Sequence, residues 1–300
     1  MQSGVGVAIA VGSGLGWAGF DLARKALAGR IPAVPLTALV LALQIPVFLG
    51  WLAISAATEG AGGGFSLDVA GYAVPGLAGV LCNTGANLLL VIALTTAPLS
   101  VSVPILSLSP VFTALFGWLF LGEALAPRQW AGVIAVVVGA VMLHATPAQM
   151  LRPWRIPAVW ASERGSVLMI IVAALFGAVV ALDKWALQAA NVPTHAVVQI
   201  VAASTVMALI AWARGELGTM REAPKMAGVL LGSTVAAVAA LGLQLVATGF
   251  IFVSSIEAIK RVVGLVASVV NGRVFFGEPV QARKLASIAV MMAGVALLLL

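Results

Sequence analysis

Apolar runs about as long as a bilayer is thick follow one another along nearly the whole sequence, separated by short polar links. A helix needs about 20 apolar residues to cross the hydrocarbon core. The runs fall at residues 4–28, 33–57, 69–95, 99–121, 127–146, 165–188, 194–213, 226–250, 253–275 and 282–300. Hydrocarbon offers no water to backbone amides, so each run must satisfy its own hydrogen bonds as a helix. The chain is 62% hydrophobic and only 9% charged, against roughly 25% charged in a soluble domain. An ordinary water-soluble fold is excluded. We expect an all-α polytopic membrane protein with about ten transmembrane helices. The first run has no basic segment before it and leads into Asp21, Arg24 and Lys25; it is expected to be a retained helix, not a cleaved signal.

The chain carries an internal repeat. Phe120–Leu143 aligns without gaps to Phe275–Leu298 at an offset of 155, with seven of 24 positions identical. Trp17 and Lys25, eight residues apart, are mirrored by Phe176 and Lys184. Two halves of five spans each fit this pattern, at 1–146 and 165–300. Five is odd, so the second half must enter the membrane from the opposite side. That makes an inverted repeat, a plan that puts a substrate cavity between the repeats. Residues 147–164 hold three prolines, two tryptophans and three arginines, which fits an interfacial linker.

The stretch Ala97-Pro98-Leu99-Ser100, followed by Pro104, Pro110-Val111-Phe112-Thr113 and Leu121-Gly122-Glu123, resembles the EamA domain of the drug/metabolite transporter superfamily. The second copy carries Lys260-Arg261 and Phe276-Gly277-Glu278. The resemblance covers the chain as two tandem domains. It implies a transporter, with a substrate drawn from a wide range: amino acids, nucleotide sugars, sugar phosphates, polyamines or drugs.

Charge bears on orientation. Twelve Lys and Arg residues, from Arg24 to Lys284, collect at the span ends and links on the side opposite the N-terminus, against Arg128 and Lys184 on the other. The positive-inside rule then places both termini outside the cell membrane, although relatives of the resembled family are expected to have them inside. The net charge of +6 is thus explained by the membrane, and nucleic acid is not an expected partner.

Glu257, Lys260 and Arg261 put three charges inside the ninth run. At i, i+3 and i+4 they share one helix stripe, and a charge at the bilayer centre costs roughly 2.5–3.5 kcal/mol. One pair self-neutralises and one cation is left over; Arg261 has the planar fork that suits a carboxylate or phosphate. Burial makes a carboxyl group's charged form costly, so Glu257 is the candidate coupling residue for a proton. The alternative places all three at a helix end, with the cations snorkelling to headgroups.

Ser102, in a proline-kinked fourth span, and the amides of Asn83 and Asn87 are candidate substrate contacts, as is Trp17 with Phe20 beside it. Lys25, Lys184 and Asp183 are candidates for anchoring or for gating by ion pairs. Glu123 and Glu278 are expected to start the helix that follows each of them, where a carboxylate favours the positive helix terminus. Gly12 and Gly16 form a GxxxG that permits close approach, within the bundle or in a homodimer.

No metal or cofactor is expected: Cys82 is the single cysteine, and His144 and His195 stand apart at span ends. No Walker-type lysine loop or nucleophile elbow occurs, which argues against an ATP-driven pump and an enzyme. The expected function is secondary transport, as exporter or exchanger, of small anionic or zwitterionic solutes such as amino acids by alternating access. An intramembrane lipid-modifying protein or a non-transporting scaffold is the alternative.

Overall fold

The structure is a computed structural model and describes residues 3–27, 30–96, 105–144, 164–276 and 282–300. Ten α-helices lie in them: α1 (Gly4–Leu27), α2 (Ala33–Glu59), α3 (Val69–Thr96), α4 (Ser109–Leu121), α5 (Pro127–His144), α6 (Arg164–Ala186), α7 (Val192–Ala213), α8 (Ala227–Ala247), α9 (Val253–Phe276) and α10 (Ala282–Leu299). Each expected span overlaps one of them. Seven helices are long and apolar enough to cross a membrane. Among the others, α4 and α5 are apolar but shorter, and α9 carries the charges at Glu257, Lys260, Arg261 and Arg273. The protein is an all-α, multi-pass membrane protein. Ser102, Glu278 and the linker residues 147–163 lie outside the described residues, and so does the side chain of Lys25.

The fourth span departs from a continuous kinked helix. Ile105 and Leu106 are helical, Ser107 and Leu108 form a turn, and α4 restarts at Ser109. Pro110 falls in the first turn of α4, where its missing N–H removes no helical bond. The proline therefore restarts a helix instead of bending one.

Two compact units are distinguished, one within residues 1–7, 85–181 and 250–300, the other within 8–84 and 182–249. Each unit takes helices from both sequence halves.

In the first unit α5 lies against α10. Gly132 meets Gly294 and Leu298, while Gly139 meets Ser287 and Met291. At the repeat offset of 155, Gly132 corresponds to Ser287 and Gly139 to Gly294, so the repeat exchanges the two contacts. Rising numbers on one helix meet falling numbers on the other; the pair is antiparallel. The same holds for α4 and α9, where Ser109 meets Glu257 and Gly117 meets Val253. In the second unit α2 and α7 repeat the pattern: Ser204 donates to the Ala38 carbonyl, and Phe48 packs with Ala196 and Ile200. In these three pairs the helices run in opposite directions.

Glycines set how closely these pairs approach. A Cβ at Gly294 would stand 2.7 Å from the Gly132 oxygen, and one at Gly132 would stand 2.6 Å from the Gly294 oxygen. The GxxxG of α1 is used inside the second unit: a Cβ at Gly16 would be 2.7 Å from the Ala240 nitrogen of α8. Ser13 also donates to the Ala240 carbonyl at 2.7 Å.

The second unit is clamped at one end by its links. Leu67 and Ala190 form an antiparallel bridge, and the Asp68 N–H donates to the Ala189 carbonyl at 2.8 Å. Asn191 accepts from the Thr194 N–H at 3.0 Å, capping α7, and donates to the Gly64 carbonyl at 2.7 Å. The first turns of α3 and α7 are held together in this way.

Gly294→Ala is expected to destabilise the purified protein by about 1–3 kcal/mol, the cost of overpacking a filled contact. Gly232→Ala serves as the control, because a Cβ there meets nothing within 4 Å; thermal unfolding in detergent distinguishes the two.

Candidate functional site

The charged stripe of α9 is brought onto the first turn of α4. Glu257 is buried, with 2% of its surface exposed, and it receives three donors. Its Oε1 accepts from Ser109 Oγ at 2.6 Å and from Arg261 Nε at 3.2 Å, and its Oε2 accepts from Lys260 Nζ at 2.9 Å. Arg261 Nε also donates to Ser109 Oγ at 2.9 Å. The Ser109 hydroxyl therefore links carboxylate and guanidinium, donating to one and accepting from the other. Ser109 reaches this position because the turn at Ser107–Leu108 restarts the helix at that residue, and because Gly177 of α6 leaves room for its backbone.

Two cations around one carboxylate leave a net charge of +1. Lys260 and Arg261 keep 15% and 26% of their side chains exposed, so neither reaches fully into solvent. The cluster lies in the second and third turns of the 24-residue α9, nearer its end than its middle. Depth within the helix therefore agrees with a helix-end placement, while burial separates it from simple snorkelling. The Nη nitrogens of Arg261 hold no hydrogen bond among the described residues. Ser254 is on the same stripe, three residues before Glu257 and seven before Arg261. Its hydroxyl is buried without a hydrogen-bond partner among the described residues, as is that of Ser255. A positively charged group with such donors and hydroxyls nearby is chemically suited to hold an oxyanion.

Glu123 does not start the helix that follows it, since α5 begins at Pro127. Gly122 ends α4 in a left-handed conformation at φ 67°, which an L side chain rarely adopts, and this turns the chain back toward α9. Glu123, buried, then accepts the Val253 N–H at 3.0 Å. It caps α9, the helix that bears the charged cluster. The expectation of a helix-terminal carboxylate was right in kind and wrong in helix, because the capped terminus lies 130 residues away in sequence. Gly117 makes the approach possible, since a Cβ there would be 2.8 Å from Val253 Cγ2.

Trp17 Nε1 donates to Gln244 Oε1 of α8 at 3.3 Å and packs edge-on against Phe20. Asn83 and Asn87 are half-buried on α3, the former in the second unit and the latter in the first. Lys184 is half-buried, and Asp183 is buried against His195. Cys82 is half-buried in α3.

That last contact belongs to a second polar cluster. Tyr72 Oη is 2.8 Å from His195 Nδ1, and His195 Nε2 is 3.3 Å from Asp183 Oδ1. All three are buried. Tyr72 was missed, and His195 was set aside as an isolated histidine at a span end, because the two stand 123 residues apart. The available signal was rarity: Tyr72 is the single tyrosine and His195 one of two histidines.

Residues 4–145 match the EamA-like transporter family. The transporter YwfM of Bacillus subtilis (strain 168), named as uncharacterized, is 30% identical over 145 residues, which is 47% of this chain and 46% of that protein. A Salmonella newport (strain SL254) protein, "Probable 4-amino-4-deoxy-L-arabinose-phosphoundecaprenol flippase subunit ArnE", is 35% identical over 64 residues, 21% of this chain and 58% of that one. The chain thus spans about half the length of the curated relatives it matches. A solved crystal structure covers 99% of this chain and 98% of its own at a TM-score of 0.72 and 17% identity, a likeness of fold.

Glu123→Ala is expected to leave the Val253 N–H unpaired and lower stability by about 1–2 kcal/mol, the usual cost of a lost cap. Glu123→Gln, which keeps an acceptor, is expected to recover most of that loss in the same thermal unfolding assay.

Proposed function

We propose that the protein is a secondary transporter, not an enzyme, and that it moves a small anionic or zwitterionic solute by alternating access. The observation that carries this reading is the Glu257–Lys260–Arg261–Ser109 cluster, in which two half-buried cations surround one buried carboxylate and the Arg261 Nη nitrogens hold no hydrogen bond among the described residues. The match to the EamA-like transporter family and the transporter name of YwfM support the class of activity. The ArnE relative is named for a phosphate-bearing lipid, and a phosphate group is within the chemistry of an Arg fork.

Ligand binding at this cluster follows from charge balance. An oxyanion that takes the Nη edge of Arg261 competes with Glu257 for cationic support. A buried carboxylate that loses such support is costly to keep charged. Glu257 takes up a proton as the anion enters, and as the anion leaves it releases that proton to water and pairs with its two cations again. Proton and anion are coupled through one carboxylate, and for a monovalent anion the cluster keeps the same net charge in both states, without ATP. The charge bias of the links places the termini outside the cell membrane. The two five-span repeats supply the frame of opposite-running helices.

Arg261→Ala is expected to abolish counterflow of labelled amino acids and organic phosphates in reconstituted vesicles while the protein still purifies as a folded species. Survival of flux removes Arg261 from the site. Glu257→Gln is expected to make the remaining flux insensitive to a pH gradient; an unchanged pH profile assigns coupling elsewhere. A reporter that is active only in the cytoplasm, fused after Leu300, is expected to stay inactive, and activity there reverses the orientation.

A further inference from the structure

The Asp183–His195–Tyr72 cluster plays no part in the anion site just described. We propose that it is a proton-binding site in which His195 takes up the proton.

The hydrogen bonds define the unprotonated state. With Asp183 ionised, His195 Nε2 must carry a hydrogen and donate it to Asp183 Oδ1 at 3.3 Å. A neutral imidazole then has one acceptor left, and Nδ1 accepts the hydroxyl hydrogen of Tyr72 at 2.8 Å. Every ring position is used and the cluster carries one negative charge inside a buried environment. A proton added at Nδ1 removes that net charge and makes an ion pair with Asp183, a stronger form of the same bond. It also turns Tyr72 from donor to acceptor, because both ring nitrogens now donate. The tyrosine hydroxyl hydrogen has to find another acceptor. Proton uptake therefore tightens α6 to α7 and reverses the bond that ties α3 to α7.

The surroundings hold little to compete with this exchange. On α3, Asp68 lies one turn before Tyr72, and its carboxylate accepts from the Ala70 and Gly71 N–H groups at 3.2 and 3.3 Å. On α6, Lys184 follows Asp183 and has interactions of its own. Apart from His195, α7 has no titratable residue; α2, packed against it, has only Glu59 at its last position, and α8 has none. One turn after His195, Gln199 Nε2 is buried without a partner among the described residues. Gly79 keeps the space beside it open: a Cβ there would stand 2.7 Å from Gln199 Nε2 and 3.9 Å from Asp183 Oδ1. A spare amide donor thus sits where the carboxylate can be met when the imidazole bond changes. The links at Leu67–Ala190 and Asn191 hold the helix starts, so the exchange acts on side chains within a fixed frame.

As a coupling site the cluster rests on the transport reading; as a proton site it does not. The test uses the full chain with His144→Gln, which leaves His195 as the one imidazole. Ring nitrogen shifts of 15N-histidine-labelled protein are followed in detergent between about pH 5 and pH 8, the range in which imidazole charges. The expected result is a single reversible titration that starts from the Nε2-protonated tautomer, disappears in Asp183→Asn and shifts its midpoint in Tyr72→Phe. An imidazole that stays neutral throughout overturns the proposal, and so does a titration unchanged in both variants. Should Asp183→Asn fail to fold, Tyr72→Phe alone decides between these outcomes. Counterflow on the same preparations separates the two claims. Titration without flux retains the proton site and removes the transport reading. Flux with a silent His195 removes the proton site alone.

Discussion

A polar side chain placed in hydrocarbon has no water to turn to, so its partners must come from the protein itself. In a chain that is 9% charged, this requirement decides where helices touch. Glu257 needs more than its own helix can give: Lys260 and Arg261 neutralise it along α9, and Ser109 closes the remaining donor position from α4. Glu123 answers the exposed N–H at the start of α9 from the end of α4. The same pair of helices is therefore joined at two polar points, and the apolar contacts of Val180, Ala181 and Val253 with Phe116 and Phe120 fill the space between helices there. Breaking one partner of such a set leaves a buried polar group unpaired, which costs more than the bond itself contributed.

Backbone approach supplies the other half of the frame. Lipid is as apolar as leucine, so burial of apolar side chains gives little reason for helices to associate in a bilayer, and close packing has to do it. The glycines at 132, 139 and 294 let α5 and α10 meet at backbone distance, in contacts that the repeat exchanges. Gly16 does the same for α1 and α8. Antiparallel pairs of corresponding helices give the protein two related surfaces with different chemistry. The charged stripe appears on α9 and has no charged counterpart in the described part of the fourth span.

Much of this was legible in the sequence, for physical reasons that differ from feature to feature. The ten spans were readable because hydrophobicity along a run is a local property. The stripe of Glu257, Lys260 and Arg261 was readable because helical spacing alone brings those residues together. Ser109 was visible only as one of several serines, since its role depends on a contact across 148 residues. The restart of the fourth span at Ser109 was misjudged as a kink: Pro110 is compatible with both, and only the turn before it decides. Glu123 was correctly seen as a helix-terminal carboxylate, but the helix it serves is set by the left-handed turn at Gly122 and not by chain order. Tyr72, His195 and Asp183 were each noticeable as rare polar residues, yet nothing local states that three helices bring them together.

The anion site turns on one idea, that Glu257 gives up its cations to an incoming ligand and takes a proton in exchange. Proton uptake measured in weakly buffered detergent solution tests it most directly, as the purified protein is titrated with whichever amino acid or organic phosphate stabilises it against heat. The account predicts about one proton taken up per anion bound, and none in Glu257→Gln, by the linkage between binding and protonation. Saturable binding with no proton uptake in the wild-type protein would contradict it.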